Sequence, residues 1–171
     1  MSVGLLIVRL VLGLGFASHG AQKLFGWFGG PGIDAAGGFF EAVGFRPGKA
    51  FATAASLAEI AGGLLTALGL LGPIGPALMI SVMIIAMLSV HRGKGFYAAG
   101  NGIEVPLLYA LGALAIAVAG PGEYSLDAAL GLHDLSSPRT AWVALAAAVV
   151  LAFVNLALRR PPAATPAPAT R

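Results

Sequence analysis

The chain has 171 residues, of which 58% are hydrophobic and only 10% charged, whereas soluble domains carry roughly a quarter charged side chains. So little polar surface cannot cover a globule in water, and lipid is the expected solvent for most of the chain. The formal charge is +3, but the basic residues fall between apolar runs rather than on one stripe, which argues against nucleic acid as a partner. With no cysteine, the chain has no thiolate nucleophile, disulfide exchange, Cys-type zinc site or iron–sulfur ligation of its own.

Met1-Ser2-Val3-Gly4 carries no basic side chain ahead of the first apolar run, so a cleavable signal peptide is not expected. Five runs reach or approach the ~20 residues needed to cross a hydrocarbon core. They are Val3–Leu24, Ala50–Leu71, Ile74–Val90, Glu104–Ala119 and Thr140–Leu158. The expected fold is an all-α integral membrane protein, with a four-helix transmembrane core bundle in residues 1–132 and a fifth C-terminal transmembrane helix in 133–160. Only Gly72-Pro73 separates the second and third runs, which predicts a tight turn and an antiparallel hairpin.

The connections have their own chemistry. In residues 25–49, Asp34 can open a short helix with Ile33, Ala36, Phe39, Phe40 and Val43 on one face. That helix suits either the membrane interface or a lid on the bundle. Residues 91–103 are glycine-rich and carry Arg92 and Lys94. In residues 120–139, Ser125 can cap a short helix, and Ser137-Pro138 can open the last run. The tail 161–171 has four prolines and nothing to bury, so disorder is expected there. With five crossings, Lys23, Arg46, Lys49, Arg92, Lys94, Arg159, Arg160 and Arg171 share a side, against Arg139 on the other. The positive-inside rule then makes the C-terminus cytoplasmic and the N-terminus external.

Ionisable groups inside spans are costly and so are functional candidates. Arg9 and Glu59 are two such groups. Arg9, Phe16 and Lys23 repeat at seven residues on the first helix, with Gly13 and Gly20 near the same line and His19 at its margin. In the second span Ala52, Ala55, Ser56, Glu59, Gly62, Gly63 and Thr66 form a small-residue face around one carboxylate, a surface made for close helix packing. At 1.5 Å rise per residue, Glu59 lies ~12 Å from the basic side, His19 ~8 Å and Arg9 ~22 Å. These levels predict a buried polar cluster of Glu59, His19, Lys23 and Arg9 that binds a ligand. Two plainer readings stand beside it: an ion pair that only fixes helix packing, and an Arg9 that snorkels outward.

A second group, His91, Lys94, Asn101 and Glu104, with Lys23 and Arg92, gathers at the basic mouth beside Phe96 and Tyr97. It can hold an anionic or quinone head group. Equally, Arg92 and Lys94 can be topology determinants, and Asn101 with Glu104 a capping box ahead of Pro106. A quinone is the one cofactor these residues suggest, with His19 and Lys23 as donors and Trp27, Phe28 and Phe39 as ring walls. Haem between His19 and His91 would need both imidazoles on one axis, which nothing in the sequence requires. No metal site is expected, and no nucleotide-binding or hydrolase motif occurs.

These residues resemble the DoxX family of small bacterial membrane proteins. The similarity runs from about Leu6 to Leu132. It is carried by Arg9-Leu10-x-x-Gly13, His19-Gly20-x-x-Lys23-Leu24-x-Gly26-Trp27, Glu59-x-x-Gly62-Gly63, Gly69-Leu70, Asn101-Gly102-x-Glu104 and Gly120-Pro121-Gly122-x-Tyr124-Ser125-Leu126-Asp127. The fifth run and the tail depart from the usual four-helix core. The resemblance implies a bacterial inner-membrane protein that is a subunit of, or partner for, a quinone-linked or oxidative-stress redox complex, and not catalytic by itself. Any sulfur chemistry would belong to a redox-enzyme partner. The residues themselves leave two alternatives open: a small-solute or proton-coupled transporter in which Glu59 titrates, and a scaffold for a soluble partner.

Overall fold

A computed structural model describes residues 2–160 of the chain; the proline-rich tail lies outside the described residues. Among these residues the fold is all-α, with seven helices. They are α1 (Ser2–Phe25), α2 (Gly32–Ala42), α3 (Gly48–Leu68), α4 (Ile74–Ser89), α5 (Glu104–Ala119), α6 (Leu126–Leu130) and α7 (Pro138–Ala157). By length and composition, Val3–Phe25, Gly48–Leu68 and Pro138–Ala157 are long and apolar enough to cross a membrane, while α4 and α5 are shorter apolar helices. The five expected runs thus all appear as helices, with ends displaced by at most three residues.

Helices α1, α3, α4 and α5 pack in a ring, each against the next, and α7 leans on α4 and α5 from outside. A core of Phe16, Met79, Ile80, Met83, Ala113, Ala117, Leu145 and Ala148 joins the ring to α7. The outward faces stay apolar. Ile7, Val11, Leu14, Leu111, Val118, Val143, Val150 and Phe153 are each more than a third exposed, a surface that lipid solvates and water does not.

Local signals set the helix ends. Gly69 closes α3 in the left-handed region, at φ 62°, and returns its N–H to the carbonyls of Leu65 and Thr66. The chain then turns through Gly72-Pro73 straight into α4, as the short gap requires. Ser125 accepts from the Ala128 amide at 3.1 Å to cap α6, and Ser137 accepts from Thr140 at 3.2 Å to cap α7, with Pro138 in its first turn. The short helix expected after the first run is α2, which starts at Gly32 with Asp34 in its first turn. It packs on α3 with Ala36 and Gly37 buried, so it lies over the bundle as a lid.

Two ends of the bundle follow from this connectivity. The basic end has the close of α1, the start of α3, the close of α4, the start of α5 and the close of α7, with α2 across it. The opposite end has the start of α1, the α3–α4 turn and residues 120–137.

Candidate functional site

The site begins with how closely α1 and α3 approach. A Cβ on Gly13 would sit 2.5 Å from the Gly63 carbonyl oxygen, and one on Gly20 would sit 2.5 Å from that of Ser56. Real Cβ atoms do not come so near backbone oxygen, so only glycine fits at these crossings. The small-residue face read from the sequence is buried between two neighbours: Ser56, Glu59 and Gly63 meet α1, Gly62 and Thr66 meet Gly75 and Met79 of α4, and Ala52, Ser56, Glu59, Gly62, Gly63 and Thr66 are all buried. The two hydroxyls on it donate back to their own helix, Ser56 to Ala52 O and Thr66 to Gly62 O, both at 2.7 Å. Among the described residues of this α3 face, that leaves the Glu59 carboxylate needing a partner from outside the helix.

Lys23 is that partner. Its Nζ donates to both carboxylate oxygens of Glu59, at 2.8 and 2.6 Å. The Glu59 side chain is 5% exposed and that of Lys23 29%, so the carboxylate is buried in the wall and the lysine is the more accessible partner. A carboxylate at this depth would be very costly alone; paired and doubly hydrogen-bonded, it is tolerated.

The pair borders a cavity of about 590 Å³ at the basic end. Apolar side chains from all five long helices and the lid make most of its wall, among them Phe16, Phe40, Phe45, Phe51, Met83 and Leu151. Four aromatics run along the lid side in contact, Phe39–Phe40–Phe45–Phe51, with ring centroids 6.3, 5.9 and 5.3 Å apart. Polar groups are few: His19, Lys23, Glu59, Ser81, Ser89, His91, Asn101, Tyr109 and Asn155. A few polar groups in a largely apolar hollow is the usual make-up of a small-molecule site.

The hydrogen bonds of the two histidines define which nitrogen each has free. Gln22 Nε2 donates to the Phe28 carbonyl at 3.4 Å, which turns its Oε1 to accept from His19 Nδ1 at 3.2 Å. His91 Nδ1 lies 2.7 Å from the Asn101 carbonyl oxygen, which can only accept. Both rings therefore carry their proton on Nδ1 when neutral, and Nε2 is left as an acceptor. The His19 ring also meets Tyr109 edge-on at 5.9 Å, and Tyr109 in turn packs on Phe16 at 5.6 Å.

Of the residues singled out from the sequence, His19, Lys23, Glu59, His91 and Asn101 come together around this cavity. Three expectations need correction. Arg9 does not join Glu59. It turns the other way and donates to the carbonyls of Pro121, Tyr124 and Ala67 at the opposite end, where three backbone acceptors already converge. Glu59 bonds to Lys23 and not to His19, because the lysine chain spans the one-turn offset that the imidazole cannot. The Asn101–Glu104 capping box does not form. Asn101 is left-handed at φ 59°, outside the helix start, and Glu104 accepts from the Ala98 amide instead, at 2.7 Å. Lys94 is exposed and away from the cavity, as are Trp27 and Phe28; of the aromatics proposed as ring walls, only Phe39 lines it.

The opposite end is fastened by a second polar group that the sequence did not single out. Asp127 is 1% exposed, and its two oxygens accept from the amides of Leu71 and Gly72 at 2.8 and 2.6 Å. Its own amide donates to Gly69 O at 3.1 Å. Arg9 and Asp127 thus grip the α3–α4 turn and the 121–127 strand of chain from both sides. The string Gly120 to Asp127 was a signal for this, but nothing in it named the backbone atoms it would reach. Ser81, Ser89, Tyr109 and Asn155 are the other polar cavity residues, which spacing alone did not reveal.

No curated protein matches the chain, and no solved structure matches it. Residues 4–92 match the family model described as DoxX, which spans α1 through α4 and so contains the glycine crossings, the Lys23–Glu59 pair and His91; the chain belongs to the DoxX family and is a multi-pass membrane protein.

Proposed function

We propose that this protein is a non-catalytic membrane subunit or partner of a redox complex, and that it binds a quinone in the cavity at its basic end. The observation that carries the reading is the cavity itself: about 590 Å³, walled mostly by apolar side chains, with a few polar groups among them. A quinone ring and the first part of an isoprenoid tail fit such a volume and need this division of apolar and polar surface. When bound, the quinone would supply two-electron, two-proton carrier chemistry to a partner enzyme. The chain's own residues would bind and orient it. The Tyr109 hydroxyl is a donor suited to a carbonyl oxygen, and the Nε2 acceptors of His19 and His91 suit the hydroxyls of the reduced form. Lys23 would not contact the head group directly, since its ammonium is engaged by Glu59. The reading includes five membrane crossings, with α4 and α5 as the short ones, and the basic end in the bacterial cytoplasm.

The test is titration of the purified protein in lipid discs with decyl-ubiquinone, together with quinone analysis of its native lipid extract. Wild type should bind saturably, His19→Ala should bind more weakly with unchanged folded yield, and Ala55→Trp, which fills the hollow, should not bind. No affinity in the wild type would sink the quinone reading. A reporter fused after Arg171 that is active only outside the cytoplasm would overturn the orientation.

A transporter is the second reading, favoured by the position of Glu59 on the cavity wall at 4% exposure. Proton-dependent solute flux into liposomes, lost in Glu59→Gln, would support it over the first.

A further inference from the structure

Helix α7 lies beyond the family-matched residues 4–92, yet it forms part of the cavity wall. From Ala141 to Leu158 its sequence is apolar except for the Trp142 ring nitrogen and one carboxamide, Asn155. An amide facing hydrocarbon without a partner is costly, so its direction is informative. Asn155 lines the cavity together with Leu151, one turn earlier on the same face, and is itself half-buried, whereas its neighbours Phe153 and Val154 are exposed. Among the described residues the Asn155 carboxamide has no protein partner; its backbone carbonyl accepts from the Leu158 amide at 3.1 Å. Among the described residues, its donors and acceptor are thus left without a protein partner on a residue that lines the hollow.

The end of α7 is also held in place at this level. Arg159, one turn beyond Asn155, donates through Nε to the Val43 carbonyl and through NH2 to that of Ser89. The Arg160 amide donates to Gly44 O at 2.7 Å. These bonds tie the last turn of α7 to the α2–α3 corner and the end of α4, so the carboxamide has a defined position on the wall.

We infer that Asn155 is a ligand-binding residue supplied to the cavity by α7, its amide donating to a carbonyl oxygen of the bound head group and so setting selectivity for carbonyl-bearing over purely hydrocarbon ligands. This rests on the reading of the cavity as a quinone site. α7 is then a working wall of the pocket in this chain and more than an added membrane anchor.

The experiment uses the full chain in lipid discs and two probes of matched shape, decyl-ubiquinone and an alkylbenzene with the same tail and no oxygen. Asn155→Leu keeps the number and branching of the side-chain heavy atoms and removes the donors. It should weaken decyl-ubiquinone about five- to tenfold, the worth of one neutral hydrogen bond, and leave the alkylbenzene unchanged. Asn155→Gln, which keeps the carboxamide, should recover most of the loss. Equal quinone affinity in Asn155→Leu and wild type overturns the inference while the cavity reading stands. An equal loss for both probes also overturns it, by making Asn155 a packing residue. Absence of quinone binding in the wild type overturns both.

Discussion

Replacing Lys23 with methionine removes the ammonium from the Glu59 carboxylate while keeping most of the side-chain length. The two N···O contacts at 2.8 and 2.6 Å go, and a carboxylate that is 5% exposed is left in an apolar wall. Breaking a buried pair by removing one partner costs roughly 3–5 kcal/mol. The 29% exposure of Lys23 admits some water to the gap, so the lower end, about 3 kcal/mol, is the expected loss. The reverse change, Glu59→Gln, should cost less, about 1–2 kcal/mol, because the ammonium can swing toward water while the carboxylate cannot. The double variant Lys23→Met/Glu59→Gln should be more stable than Lys23→Met alone, since no charge is then stranded. Reversible unfolding of the four proteins in lipid discs, analysed as a double-mutant cycle, measures this. Strictly additive losses, or a Lys23→Met protein as stable as wild type, would show that the pair is not coupled in the way its geometry requires.

Three further outcomes follow from the contacts. Arg9→Lys keeps the charge but loses the planar fork that reaches carbonyls of Pro121, Tyr124 and Ala67; it should lower stability by about 2 kcal/mol in thermal unfolding. Asp127→Asn replaces one acceptor of the Leu71 and Gly72 amides with a donor, costing about 1–3 kcal/mol, and should speed hydrogen exchange at those two amides above all others. Gly20→Val would force α1 and α3 apart at the Ser56 carbonyl and should sharply lower the folded yield, whereas Gly38→Ala, with nothing within 4 Å of its Cβ, should be neutral.

The helices were legible because each apolar run is long and bounded by a cap or turn residue, and the α1–α3 contact because glycine, alanine and serine share one face around Glu59. Partner choice within that contact was harder to read. A helical wheel gives the direction of Arg9 around its axis but not whether its side chain runs up or down. Its actual acceptors are backbone carbonyls, 112 and 115 residues away in the case of Pro121 and Tyr124, and carbonyls leave no mark in a sequence. Asp127 escaped notice for the same reason, since it binds amides 55 and 56 residues distant. Glu104 opens α5 as expected, but the left-handed Asn101 lies two residues before the Ile103 cap and so cannot complete the box. The histidines gave their location but not their free nitrogen, which depends on Gln22 and on the Asn101 carbonyl.

The knot at the opposite end has a consequence for traffic. The cavity takes no lining residue from the α3–α4 turn or from residues 120–137, and that end is tied by Arg9 and Asp127 through five backbone groups. On the proposed reading the hollow is closed toward that end, so a ligand would enter and leave from the basic end or from the lipid. A bound molecule can exchange with one compartment or with the surrounding lipid, which suits a dwelling place for a shuttling carrier. Passage across the whole molecule would require undoing a guanidinium from three carbonyls before any gate on that side could swing. A mutant that conducts solutes should therefore be sought at Arg9 and not at the cavity.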